Sequence, residues 1–135
     1  MRDTNDVLLG REAVESGWLK SLREKLSMPQ AAMAALMGTA AARYRLWEAD
    51  PGTRLWTKSA QRVGRFYRSA LNQIVILDER GVDLDTLVPF MAVAPRLGMT
   101  HEGLLARYRR GEVRGEDLGV LGLWMTKAEF REMQQ

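Results

Sequence analysis

The chain has no cysteine and a single histidine, His101, among its 135 residues. Without thiols there can be no disulfide, no thiolate nucleophile and no cysteine-bearing zinc set. One imidazole does not make a metal site by itself. Long apolar runs are absent too, and nothing approaches the roughly 20 residues that a membrane-spanning helix needs. The opening MRDTNDVLLGRE mixes charges and lacks the apolar stretch of a secretion signal, so no signal peptide is expected. The glycines between Gly115 and Gly122 are not followed by Lys-Ser or Lys-Thr, which excludes a phosphate-cradling loop of that kind. Two carboxylate pairs, Asp83/Asp85 and Glu116/Asp117, fall at expected helix starts, where negative charge favours the helix dipole. The reading is therefore no enzyme, no catalytic residues, no metal and no cofactor. Absence of cysteine also suits a reducing cytoplasm.

What is present is a repeated spacing. Ala34, Gly38 and Tyr44 stand four and six residues apart, and Ala94, Gly98 and Leu104 repeat this sixty residues later. A small residue lets a second helix approach, a glycine accepts the turn, and an apolar residue anchors the second helix on the first. That is the skeleton of two helices joined by a sharp turn, carried twice.

The first copy lies inside a longer pattern, Leu22 to Pro51: LREKLSMPQAAMAALMGTAAARYRLWEADP. Leu22, Arg23 and Leu26 open it. Gln30, Met33, Ala34, Met37 and Gly38 follow in register, Tyr44 takes the apolar slot, and Trp47-Glu48 close it. In this arrangement the segment resembles the lambda-repressor/Cro-like (XRE) helix-turn-helix family. Pro29 and Ala40 depart from the family's serines, and Ser27 and Thr39 are the nearby residues able to cap. The resemblance implies a recognition helix that enters the major groove of duplex DNA with Thr39, Ala40, Ala41, Ala42, Arg43, Arg45 and Leu46 exposed, and Tyr44 and Trp47 inward. It also implies that Gln30 binds the DNA backbone. The three alanines are either simple helix formers or residues that allow close approach and thymine-methyl contact. Arg43 and Arg45 then read guanine or grip phosphate, unless they are ordinary solvated arginines.

Charge is unevenly placed. Arg43, Arg45, Arg54, Lys58, Arg62, Arg65 and Arg68 face only Glu48 and Asp50 in the same stretch, while the whole chain nets +3. Released counterions make such a cluster an effective phosphate binder, so Arg54 and Lys58 join the candidate DNA contacts. Residues 96–114 are also locally basic.

The expected architecture is all-α: an N-terminal helix-turn-helix bundle over 1–56, a long linker helix over 57–80 and a C-terminal helical unit over 81–135 carrying the second helix-turn-helix-like element. Residues 1–16 read as an arm with at most a helical turn, followed by a helix capped by Ser16 with Leu19, Leu22 and Leu26 on one face. Trp56, Ala60, Val63, Tyr67, Ala70, Ile74 and Leu77 form one stripe on the long helix, and Gly81 stops it; its first half is expected to close the N-terminal core and its second half to support the C-terminal unit, with a coiled-coil seam as the alternative. Pro89 and Pro95 imply a short or kinked helix before Gly98. Thr100 is placed to cap the next helix, residues 115–125 read as a compact turn, and Thr126 to Glu129 has capping-box spacing. By analogy with the first copy, Thr100, His101, Arg107 and Arg109 are the second unit's candidate DNA contacts. This C-terminal half resembles that of repressor-like proteins of actinobacteriophages.

Together the resemblances imply a sequence-specific repressor of phage immunity acting on operator DNA in the bacterial host cytoplasm, with no membrane and no metal. A single chain on an asymmetric site is expected ahead of a homodimer on a palindrome. The alternatives are a Cro-like antagonist, or an XRE-type antitoxin whose C-terminal half binds a protein or dimerises.

Overall fold

A computed structural model of the chain describes residues 2–135, with side chains from residue 5 onward. The helices are α1 (Arg2–Glu15), α2 (Trp18–Lys25), α3 (Gln30–Met37), α4 (Ala41–Ala49), α5 (Thr57–Glu79), α6 (Phe90–Arg96), α7 (His101–Arg109) and α8 (Lys127–Met133). Three short strands, β1 (Leu87–Pro89), β2 (Glu116–Asp117) and β3 (Leu123–Thr126), form an antiparallel sheet in the order β1-β3-β2. The protein is thus mostly helical, but the expectation of an all-α chain needs this correction. Val88 pairs with Met125 and Pro89 with Trp124, so the segment read as a compact turn contains a central strand. Such strands are too short to display a period of two, which is why the pattern did not announce them. Among the described residues no helix is long and apolar enough to cross a membrane.

The expected N-terminal arm is a 14-residue helix lying along α5. Two glycines make this possible. A Cβ on Gly10 would run into the Ala60 carbonyl, and one on Gly64 into the Asp6 carbonyl, so the two backbones meet directly. Val7, Ala13 and Val14 are buried by the contact. Asp6, only 2% exposed, faces Arg68 at 3.2 Å and Arg65 at 3.9 Å. Ser16 does not cap α2. Its N–H continues α1 by bonding the Glu12 carbonyl, and Gly17, at φ 74°, turns the chain into α2.

From α2 to α4 the apolar spacing does what it predicts. Leu19, Leu22 and Leu26 are buried on one side of α2, and Ala34, Tyr44 and Trp47 are 1%, 0% and 4% exposed between α3 and α4. Gly38 takes φ 73°, and the Thr39 N–H closes the end of α3 on the Ala34 carbonyl at 2.9 Å. This left-handed stop satisfies carbonyls that the helix end leaves open. On α5, Ala60, Val63, Ala70 and Leu77 are buried while Tyr67 and Ile74 are half-buried. Trp56 is the exception in the stripe: it points outward, and Leu55 takes its place in the core.

The second copy of the spacing makes the same turn. Gly98 has φ 68°, the Met99 N–H bonds the Ala94 carbonyl at 3.0 Å, and Ala94 and Leu104 are fully buried. Pro89 stands at the start of α6, and Pro95 sits in its last turn, where it removes a donor with little helix left to disturb. Val88, Phe90, Val93, Ala94, Leu104, Val113, Met125 and Phe130 form a core here. Leu87, Leu118, Leu121 and Trp124 belong instead to the larger core built on α1 to α5. The Trp124 indole N–H donates to the Leu121 carbonyl at 2.9 Å, which satisfies its one polar atom inside that core. Although α5 is 23 residues long, about 34 Å, the C-terminal half packs back against it.

Candidate nucleic-acid interface

The outer side of α4 is set by the helix period. Tyr44 and Trp47 turn inward, which leaves Ala42, Arg43, Arg45, Leu46 and Ala49 exposed. Ala40 precedes the helix and is exposed as well. Ala41 differs from the expectation: it is half-buried and packs against the core. Thr39 differs too. Its hydroxyl is buried without a hydrogen-bond partner and caps nothing. Ser27 does not cap α3 either, since it holds the left-handed position, φ 54°, that ends α2. Both α3 and α4 therefore begin without a side-chain cap, behind Pro29 and Ala40.

Arg23 and Glu48, which bracket the quoted pattern, are partners. Arg23 Nε and Nη2 donate to the two Glu48 oxygens at 2.7 and 2.9 Å, and Nη1 donates to the Met28 carbonyl at 3.0 Å. Two parallel charge-assisted bonds fix the carboxylate in its plane. Gln30 Nε2 adds a donor to Glu48 Oε1 at 3.0 Å. The network ties the loop before α3, the first residue of α3 and the end of α4 into one body. Burial alone would raise the Glu48 pKa. Hydrogen bonds, Arg23's foremost, outweigh it and hold the carboxyl below its ordinary value. Hydrogen bonding to Glu48 raises Arg23 correspondingly, and burial pushes the Tyr44 hydroxyl far up. Gln30, a backbone ligand by resemblance, is half-buried with one amide hydrogen engaged by Glu48 and the other left for an outside acceptor.

The seven cations from Arg43 to Arg68 separate into two groups. Arg68 and Arg65 face Asp6, and Arg62 donates to the Gly38 carbonyl, clamping α5 to the turn before α4. Arg43, Arg45, Arg54 and Lys58 are exposed, the first two on α4, Arg54 in the stretch that follows it and Lys58 in the first turn of α5. Arg62 was legible only as one charge among several, because nothing in its spacing announces a carbonyl partner 24 residues away.

In the second unit the candidates do not form one cluster. Thr100 accepts the Gly103 N–H at 3.0 Å, so it caps α7 as predicted. His101 is half-buried and lines a cavity of about 200 Å³ together with Met28, Leu36, Met91 and Leu105, which places it against the first unit. Arg107 and Arg109 are exposed near the opposite end of α7, and two residues apart on a 3.6-residue turn they point to different sides. Arg110, a further basic residue, pairs with Glu112 at 2.9 Å. No protein-family model, no curated protein and no solved structure matches the chain.

Proposed function

We propose that the chain is a transcriptional repressor that binds duplex DNA, with α3, its glycine turn and α4 acting as a helix-turn-helix of the lambda-repressor/Cro-like kind. The observation that carries the reading is the two-sidedness of α4. One side is locked by Tyr44, Trp47 and the Arg23–Glu48 pair, and the other presents Ala42, Arg43, Arg45 and Leu46 to solvent. A rigid helix with small residues at its start and arginines one turn on suits a major groove, where alanine and leucine meet thymine methyls and arginine meets guanine. Arg54 and Lys58, exposed in the chain that follows α4, suit phosphates. The resemblance places such a repressor in phage immunity, inside the bacterial host.

The same turn in α6–α7, with Arg107 and Arg109 exposed, supports a second reader on one chain and hence an asymmetric site. A different observation favours a homodimer: Trp18, Leu71 and Val75 leave an apolar groove open between α2 and α5. Sedimentation of the full chain with a DNA fragment from the neighbouring intergenic region, together with its footprint, decides between them. The reader itself is tested by gel-shift titration. Arg43→Ala is expected to cost about 1–3 kcal/mol and to relax preference at one base. Unchanged affinity after substitution of both Arg43 and Arg45 removes α4 from the interface.

A further inference from the structure

We infer that Trp56 is a contact to the sugar-phosphate backbone of duplex DNA, held past the hydrogen-bonded turn that ends α4. The inference rests on the DNA-binding reading and adds to it a residue that the sequence pattern assigned to the core. Trp56 is 86% exposed, the most exposed of the large apolar side chains; Leu8 follows at 59% and Val75 at 54%. It does not hang on a loose loop. Asp50 Oδ1 accepts the Gly52 N–H at 3.2 Å and the Asp50 carbonyl accepts the Thr53 N–H at 2.9 Å, which fixes the turn leaving α4. Leu55 is then driven into the core, and Arg11 Nη2 reaches its carbonyl at 3.4 Å. In an extended stretch alternate side chains point oppositely, so burying Leu55 turns Arg54 and Trp56 outward together. Folding thus anchors an indole in water where a small shift of register would have buried it.

The surroundings say what the indole meets. Arg54 and Lys58, two residues to either side of it in sequence, are exposed; the sequence holds no carboxylate from Pro51 to Leu77, and Asp50, just before, has one oxygen engaged by the Gly52 N–H. An apolar ring with one N–H donor, set between two cations, matches a DNA strand: the ring lies on a deoxyribose, the N–H meets a phosphate oxygen, and the cations take neighbouring phosphates. The other exposed tryptophan, Trp18, borders a groove lined by Lys25 that continues toward Asp78, Asp83 and Asp85, a net negative lining less suited to a polyanion.

The test uses the full chain and a mixed-sequence duplex of about 30 base pairs, sufficient because a backbone contact does not require the operator. Trp56→Ala is expected to weaken binding about three- to tenfold, the worth of one hydrogen bond and its apolar contact, at every salt concentration and with no change in the slope of affinity against salt. Lys58→Ala instead lowers that slope by about 1. Trp56→Phe keeps the ring without the N–H and falls between wild type and Trp56→Ala. Saturating duplex shields wild-type fluorescence from acrylamide, and the shielding is lost in Trp56→Phe. Wild-type affinity in Trp56→Ala, or unchanged quenching on adding duplex, overturns the contact; if Arg43→Ala/Arg45→Ala still abolishes binding, the DNA reading survives without it. Shielding that rises with protein concentration in the absence of DNA, and that is lost in Trp56→Phe, assigns the residue to a contact between copies and also overturns the inference; shielding retained in Trp56→Phe belongs to Trp18 and leaves the inference standing. A wild-type chain that binds neither this duplex nor the intergenic fragment removes both.

Discussion

Replacing Glu48 by glutamine tests whether the Arg23–Glu48 pair holds the α2–α4 body together. The carboxylate is 6% exposed and Arg23 16% exposed, so neither partner can turn to water without disturbing its neighbours. Glu48→Gln removes the charge but keeps the volume. One amide oxygen still accepts from Arg23, while the amide NH2 now faces a guanidinium donor. A hydrogen bond to a charged group is worth about 1.5–3 kcal/mol, and breaking a buried pair costs about 3–5 kcal/mol. Arg23 retains its bond to the Met28 carbonyl, so a loss of about 2–4 kcal/mol is expected in denaturant unfolding at neutral pH. The difference must also depend on pH in one direction. Glu48 titrates below its ordinary value of 4.5 in the folded chain. Wild type therefore has this stabilisation in full above the unfolded pKa and loses it as the pH falls through the folded one. Glutamine has no such step, so the two stability curves converge in acid. A difference under about 0.5 kcal/mol at neutral pH, or one that persists undiminished to about pH 3, refutes the reasoning.

Two further substitutions test the packing. Ala34→Leu forces a larger side chain into the α3–α4 crossing, where Ala34 is 1% exposed, and is expected to cost about 1–3 kcal/mol by thermal or chemical unfolding; a wild-type melting temperature would show the crossing to be looser than described. Gly64→Ala puts a methyl against the Asp6 backbone carbonyl, so α1 must shift away from α5. Hydrogen exchange should then quicken in α1 while the α3–α4 amides stay protected, and an unchanged α1 exchange rate would contradict the close backbone contact.

The parts of the fold visible in the sequence are those specified by side chains. The boundaries of α3, α4 and α5 followed from the apolar period, the glycine stops and the Pro-Gly turn: helices expected over 29–37, 40–48 and 57–80 run Gln30–Met37, Ala41–Ala49 and Thr57–Glu79. Helix α1 was not visible because its partner surface is made of missing side chains. Gly10 on α1 meets Ala60 and Gly64 on α5 through backbone approach, and the four-residue spacing of those two small residues on α5 was the available signal. The sheet was hidden by its brevity. Trp56 was assigned inward because it continues a helical stripe, yet it precedes the helix, in extended chain where the period is two. Of the candidate site, the solvent side of α4 was legible from the positions of Tyr44 and Trp47. The inward turn of Thr39 and the placing of His101 at a cavity shared with Met28 and Leu36 depend on tertiary neighbours that no local pattern carries.

Leu118, Leu121 and Trp124 lie in the core built on α1 to α5, so the two glycine-turn units are joined by packing as well as by the short link between Gly81 and Leu87. Flexibly joined modules search for their second site, and the length of the tether sets their effective concentration. Here that freedom is absent, and the offset between α4 and α7 is a fixed property of side-chain packing. Were both units to read DNA as proposed, distance along the duplex would become part of the recognised sequence. Inserting one base pair between two contacted segments rotates them by about 35° around the duplex axis, and the packed link between the units would have to take up that rotation. Spacing discrimination of that kind requires no contact to the intervening bases. It would be lost by lengthening the link between Gly81 and Leu87 together with loosening Leu121 and Trp124 from the α5 side of the core.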